Sequence, residues 1–177
     1  MLMPKDQQRP RGPRPGDHLR PPMGGAISDA GPIPHRIGAT VRPSRHEPLS
    51  PIFDKGWSDV DDGGFVWIEG AAGDLVFDLP VLMKDLMVEI DCFPLPSTAS
   101  APQRMAVYAN GAYLDSFLVT ERGQVAVAIP RELCPGRRLR VSIVPALVHV
   151  PKREGGSSDE RALSIGVHAI GLGYDHD

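Results

Sequence analysis

Beyond residue 52 the chain alternates apolar and polar positions with a period of two, the repeat of a half-buried β-strand. Gly63-Gly64 lead into F-V-W-I-E, which predicts a strand at 64–69. A second strand starts at Gly73, with Leu75, Phe77 and Leu79 on one face and Val76 and Asp78 on the other, and Pro80 ends it. The third covers 85–93, placing Leu86, Val88, Ile90 and Cys92 inward and Glu89 and Asp91 outward. The run V-Y-A-N-G-A-Y-L-D predicts a hairpin with strands at 104–109 and 112–119. Its turn, Asn110-Gly111, combines the two residue types that best tolerate the positive φ of a type I′ turn. Further strands are expected at 124–129, 138–144 and 162–172. The only helical turn anticipated lies near Pro130–Cys134.

Eight short strands at near-regular spacing, joined by turn residues, predict an all-β fold: a two-sheet antiparallel β-sandwich of jelly-roll-like form. A parallel sheet would require amphipathic crossover helices, and the pattern supplies none. An all-β body without a catalytic motif directs the functional search to binding or assembly.

The first 52 residues break the pattern. Ten of the nineteen prolines fall within residues 1–50, with arginine, glycine and histidine between them. Proline removes backbone donors and biases its predecessor away from helix, and such a segment buries little apolar surface. Residues 1–52 are therefore expected to be a disordered Pro/Arg-rich arm, 53–174 the sandwich module and 175–177 a short tail. Charge divides the same way. Residues 1–50 hold eight Lys and Arg against four acids, so the remainder is strongly acidic within a chain of net charge −3. A basic arm on an acidic body suits docking to a partner or an anionic surface.

Two cysteines, Cys92 and Cys134, without CxxC or Cys/His spacing, read as free thiols of a reducing compartment. The N-terminus lacks the apolar core of a secretory signal, and no run approaches the ~18 apolar residues of a membrane span. The expected setting is cytoplasmic, with neither a transmembrane segment nor a nucleic-acid partner.

The motifs of hydrolases, zinc proteases and nucleotide-binding loops are absent from the sequence. His149 and His168 fall in or beside predicted strands and are read as ordinary strand histidines. Asp59, Asp61 and Asp62 form D-V-D-D-G-G, a loop rich enough in oxygen to be a candidate for Ca²⁺. No other cofactor is indicated. Aromatic residues are the main binding candidates, because an exposed ring presents a flat apolar surface with a polar edge. Trp57 precedes the acidic loop, and Tyr108 and Tyr113 project together from one face of the hairpin, so these three are the candidate ligand contacts. In the simplest hairpin register Phe117 and Val119 fall on the tyrosine face; a bulge or a reversed assignment would change that. Trp67, mid-strand, is read as packing, Asn110 and Gly111 as the turn, and Asp159 with Arg161 as a charge-assisted clamp on the loop before the last strand.

The segments G-W-S and F-V-W-I-E-G, an apolar strand ending in Leu-Pro, V-Y-A-N-G-A-Y-L, V-A-I-P and the ending G-G-S-S-D-E-R-A-L-S-I-G occur in a characteristic order. In that order they resemble small β-sandwich modules that accompany bacterial glycosyltransferases and polysaccharide-biosynthesis proteins. The similarity spans roughly 53–174, with Ser164 where those modules usually carry glycine. It implies a non-catalytic, carbohydrate-binding-like accessory module whose partner is a glycan or a glycosyltransferase-type protein. The alternative is a scaffolding protein that binds no sugar and docks partners through its basic proline-rich arm.

Overall fold

The computed structural model describes residues 36–82, 84–95, 102–155 and 157–175. Among these described residues nine strands build two antiparallel sheets: β1 (Ala39–Val41), β2 (Val66–Glu69), β3 (Gly73–Asp78), β4 (Leu86–Pro94), β5 (Gln103–Ala109), β6 (Ala112–Val119), β7 (Gly123–Ile129), β8 (Arg138–Pro145) and β9 (Leu163–Tyr174). One sheet has the order β1-β9-β4-β7, with β2 sharing the β1 side of β9; the other runs β3-β8-β5-β6. This is the expected two-sheet, jelly-roll-like sandwich.

Alternation decides what lies between the sheets. Val66 and Ile68, Leu86, Val88 and Ile90, Val127 and Ile129, and Ile165, Val167, Ile170 and Leu172 come from the five-stranded sheet. They meet Leu75 and Phe77, Met105 and Val107, and Leu139, Val141 and Ile143 of the four-stranded one. Most of these side chains are fully buried. Each contributes about 1.5–3 kcal/mol relative to exposure, which makes this face the main source of stability. Cys92 and Cys134 belong to the same core as free thiols.

Four features depart from the sequence expectation. First, the sandwich begins inside the expected arm. Residues 1–35 lie outside the described residues, but β1 pairs Ala39 with Leu172 and Val41 with Ile170. Pro43 and Ile52 are buried. A three-residue strand between prolines has too little periodicity to be seen alone; its partner is the open edge of β9.

Second, the hairpin carries a bulge. Asn110 (φ +47°) and Gly111 (φ +86°) form its turn, and Tyr108 faces Tyr113, but Val107 faces Asp115 rather than Leu114. One extra residue in β6 reverses the facing of everything beyond it. Met105 therefore faces Phe117, and both Phe117 and Val119 pack with the core while the tyrosines stay on the outer face.

Third, β9 bulges opposite Asp91/Cys92: Asp91 faces Ala169, and Cys92 faces Val167. His168 is the extra residue. Fourth, beside the expected turn at Arg131–Leu133 there is a single helical turn, α1 (Pro151–Glu154), with proline at its start. Proline's fixed φ suits a first helical position. No helix among the described residues is long and apolar enough to cross a membrane.

Candidate functional site

The outer face of the five-stranded sheet carries a shaped surface among the described residues. Strand registers arrange it in rows. One row holds Thr40 of β1, Gly171 of β9, Glu89 of β4 and Ala126 of β7. The row on one side holds Gly173, Met87 and Ala128. On the other side come Ala169, Asp91 and Gln124, and then Trp67, Gly166 and Phe93. Along β9 four outward positions besides the bulged His168 are thus nearly bare: Gly166, Ala169, Gly171 and Gly173. Glycines within a strand mark places where another group approaches the backbone closely.

At the Gly171–Gly173 end that bareness opens a groove of about 370 Å³. Its floor is Gly171, Gly173 and Ala126, and its sides include Thr40, Met87 and Glu89, with Gly38 and Asp175 at the rim. Two polar groups converge over Gly171. A methyl group placed on that glycine would stand 3.3 Å from Glu89 Oε2 and 3.7 Å from Thr40 Oγ1. Gly173 is fully open, since a methyl group there would meet no heavy atom within 4 Å. The groove therefore joins an uncovered backbone floor, a thioether, a hydroxyl and an exposed carboxylate.

At the Gly166 end the same bareness is filled. Phe93 lies over Gly166, so close that a methyl group there would be 2.2 Å from its Cζ. Phe65 packs edge-on against Trp67 at 5.2 Å and Phe93 at 4.9 Å, while Trp67 and Phe93 meet at 5.2 Å. His168 sits 5.1 Å from Phe93 and 5.2 Å from Phe65. Desolvation among these rings, aided by the Arg122 charge, pulls its pKa below the ordinary histidine value of 6.5. Between patch and groove, Arg122 grips Asp91 through Nη2 at 3.0 Å and Nε at 3.3 Å. That hydrogen bond, outweighing partial burial, holds the Asp91 carboxyl below the usual carboxylate range.

The residues singled out from sequence lie mostly elsewhere. Trp57 is half-buried against the core. Its indole N–H donates to the Asp74 carbonyl at 2.8 Å, its ring meets Phe53 edge-on at 5.1 Å, and Gly73 lies directly beneath it. It is no free platform, because the bridge to Ile68 draws it onto β2. Trp67 is 7% exposed, but it packs on the outer face beneath Phe65 and Phe93 rather than between the sheets.

Tyr108 and Tyr113 are on the four-stranded sheet, across the sandwich from the groove. They meet edge-on at 5.7 Å, and Tyr113 is 57% exposed. They continue a row with Ser142 and Asp74, where Ser142 Oγ donates to Asp74 at 2.6 Å and Arg140 bridges Asp74 at 2.6 Å and Asp54 at 3.2 Å.

Asp59, Asp61 and Asp62 do not converge. Asp62 pairs with Arg45, the backbone of Asp61 closes a turn with Phe65 and Gly64, and Asp59 is exposed. Among the described residues no group of three or more His, Cys, Asp or Glu side chains is arranged to hold a metal ion.

Asn110 does more than turn the chain. Its Nδ2 donates to the Leu133 carbonyl at 2.7 Å and its Oδ1 accepts from the Arg140 N–H at 2.9 Å, tying the hairpin tip to β8; Gly111 completes the turn. Arg161 grips Asp159 through Nη2 at 2.7 Å and Nε at 3.0 Å. Asp159 Oδ1 also accepts from the Arg161 backbone N–H at 2.9 Å, and Arg161 reaches Glu69 at 3.6 Å.

Thr40, Met87 and the glycine column escaped the sequence reading, which placed Glu89 outward on its strand without pairing it with any other group. The available signal was glycine at 166 and 171 inside a predicted strand, with another at 173 just past its end.

No protein-family model matches the chain, and comparison with curated proteins gives no match. Among solved structures the chain is similar to part of a family GH115 4-O-methyl-α-glucuronidase with specificity for decorated arabinogalactans (11% identity, TM-score 0.48). That match covers 80% of this chain and 18% of the other, so this chain spans under a fifth of that enzyme. It is also similar to two carbohydrate-binding modules. One is the CBM36-1 domain of a multidomain xylanase from the hindgut metagenome of Trinervitermes trinervoides (7% identity, 70% and 89% covered, TM-score 0.44). The other is module CBM6cm-2 of Cellvibrio mixtus lichenase 5A in complex with cellotriose (10% identity, 80% and 100% covered, TM-score 0.43). Likeness of this degree assigns no ligand to this chain.

Proposed function

We propose that this protein is a glycan-binding module that holds a sugar unit in the groove over Gly171 and Gly173, without catalysing a reaction on it. The observation that carries this reading is the convergence of Glu89 and Thr40 over a strand backbone stripped of side chains. A sugar ring has a flat face of C–H groups and a rim of hydroxyls. The bare floor and Met87 suit the face; the Glu89 carboxylate accepts hydrogen bonds from the rim, and Thr40 both donates and accepts. A volume of about 370 Å³ lies at the small end of ligand pockets, enough for one or two rings of a longer chain passing through an open groove. The ordered sequence segments that resemble glycan-synthesis accessory modules point the same way, and an accessory role in that setting belongs to the proposal.

A glycan array probed with the full chain tests it. Binding by the wild type, weakened tenfold or more in Thr40→Val or Glu89→Gln, supports the groove. Unaltered binding in both variants removes it. Chromatography of the incubated oligosaccharides covers the catalytic alternative: glycosidases work with a pair of carboxylates, and products that vanish in Glu89→Gln would overturn the non-catalytic part.

A further inference from the structure

Resting on the glycan-binding reading, we infer that Glu89 makes the groove a charge filter: it accepts uncharged or amino-bearing sugar units and rejects those carrying a carboxylate or sulfate. Among the described residues that line the groove, the carboxylates are Glu89 and Asp175, beside the phenol of Tyr174, and none is lysine, arginine or histidine. Arg122 is bound to Asp91 in two places, and Arg42 lies toward the same Asp91–His168 end.

Glu89 cannot be avoided by a ligand resting on the floor. Its carboxylate lies directly over Gly171, with Cβ as well as Oε2 within 3.5 Å of a methyl placed there. The side chain is exposed and no hydrogen bond or ion pair joins it to a cation among the described residues, so its oxygens face the ligand with acceptor capacity only. Hydroxyls and ammonium groups satisfy such acceptors. A ligand carboxylate or sulfate brings like charge and no proton to donate, and discrimination of this kind arises from the repulsive contact as much as from the attractive one. Two negative charges within about 5 Å at a partly screened surface repel enough to cost at least about tenfold in affinity.

The test is an array that prints the same oligosaccharide backbones in three forms: neutral, 2-amino, and C6-oxidised uronate. It is probed with the full wild-type chain and with Glu89→Gln at low and high salt. The filter predicts that each bound backbone loses at least about tenfold on oxidation, keeps or gains affinity as the amine, and recovers most of the uronate loss in Glu89→Gln or in high salt. Uronates bound as well as neutral forms by the wild type, or a ratio unchanged in Glu89→Gln, overturn the filter while leaving glycan binding intact. No binding to any form of any backbone removes the glycan reading itself.

Discussion

Gly166→Ala tests how the outer face is divided into a filled and an open end. Gly166 shows no positive φ, so alanine fits its backbone, and in isolation the change would stabilise by about 0.4–1 kcal/mol through the unfolded chain. The site forbids it. The new methyl would lie 2.2, 2.4 and 2.9 Å from Cζ, Cε1 and Cε2 of Phe93, so the ring must lift. Lifting it disturbs the edge contacts with Phe65 and Trp67, about 0.5–1.5 kcal/mol each, and uncovers an indole that is 7% exposed. Overpacking of this kind costs about 1–3 kcal/mol, so the net expectation is a loss of about 1–2 kcal/mol.

The assay is equilibrium urea unfolding, in which a lower midpoint at constant m reads as lost stability. Phe93→Ala alone removes the obstacle as well as the ring. The double variant should therefore be more stable than the sum of the singles predicts, by the clash energy. Gly173→Ala is the control: its methyl meets nothing within 4 Å, and stability should hold or rise slightly. A Gly166→Ala protein as stable as wild type, or fully additive singles, would refute the packing argument.

Three further outcomes follow from the structure. Asn110→Gly keeps the positive φ but loses the two side-chain hydrogen bonds to Leu133 and Arg140, so thermal unfolding should report a loss of about 1–2 kcal/mol, and Asn110→Ala a larger one. Asp91 and Asp159 titrate below the ordinary value of 3.8 because of their bonds to Arg122 and Arg161. Their stabilisation is complete above that value and falls away as pH drops below it; a urea midpoint series from pH 6 to pH 2 should show the decline, blunted in Asp91→Asn. Burial pushes the Cys92 thiol up to about 12, so a thiol reagent at pH 8 should leave it unmodified in the native protein and label it promptly in denaturant.

Much of the sandwich was legible because period-two alternation records which side of a strand is buried, and Asn110-Gly111 records its own turn. What escaped notice depends on pairing at a distance. β1 is too short to announce itself and exists because β9 offers an edge at Ile170–Leu172. The bulge in β6 decides that Phe117 packs inward, and nothing in Y-L-D-S-F marks it. Trp57 looked exposed beside a polar loop, yet its bond to Asp74 and its seat on Gly73 belong to β3. The groove is the extreme case: Thr40, Glu89 and Gly171 come from three strands and meet only through register. Its faint local sign was glycine repeated within an otherwise apolar strand.

Gly173→Leu tests the central claim most directly. The Cβ position is open and faces the groove, so a leucine side chain enters the groove, and the melting temperature should stay within a few degrees of wild type. Calorimetric titration with the best array ligand should then show binding reduced at least tenfold, while Tyr113→Ala on the opposite sheet binds as wild type does. Full affinity in Gly173→Leu, with loss in Tyr113→Ala, would contradict the account and move the site to the tyrosine face.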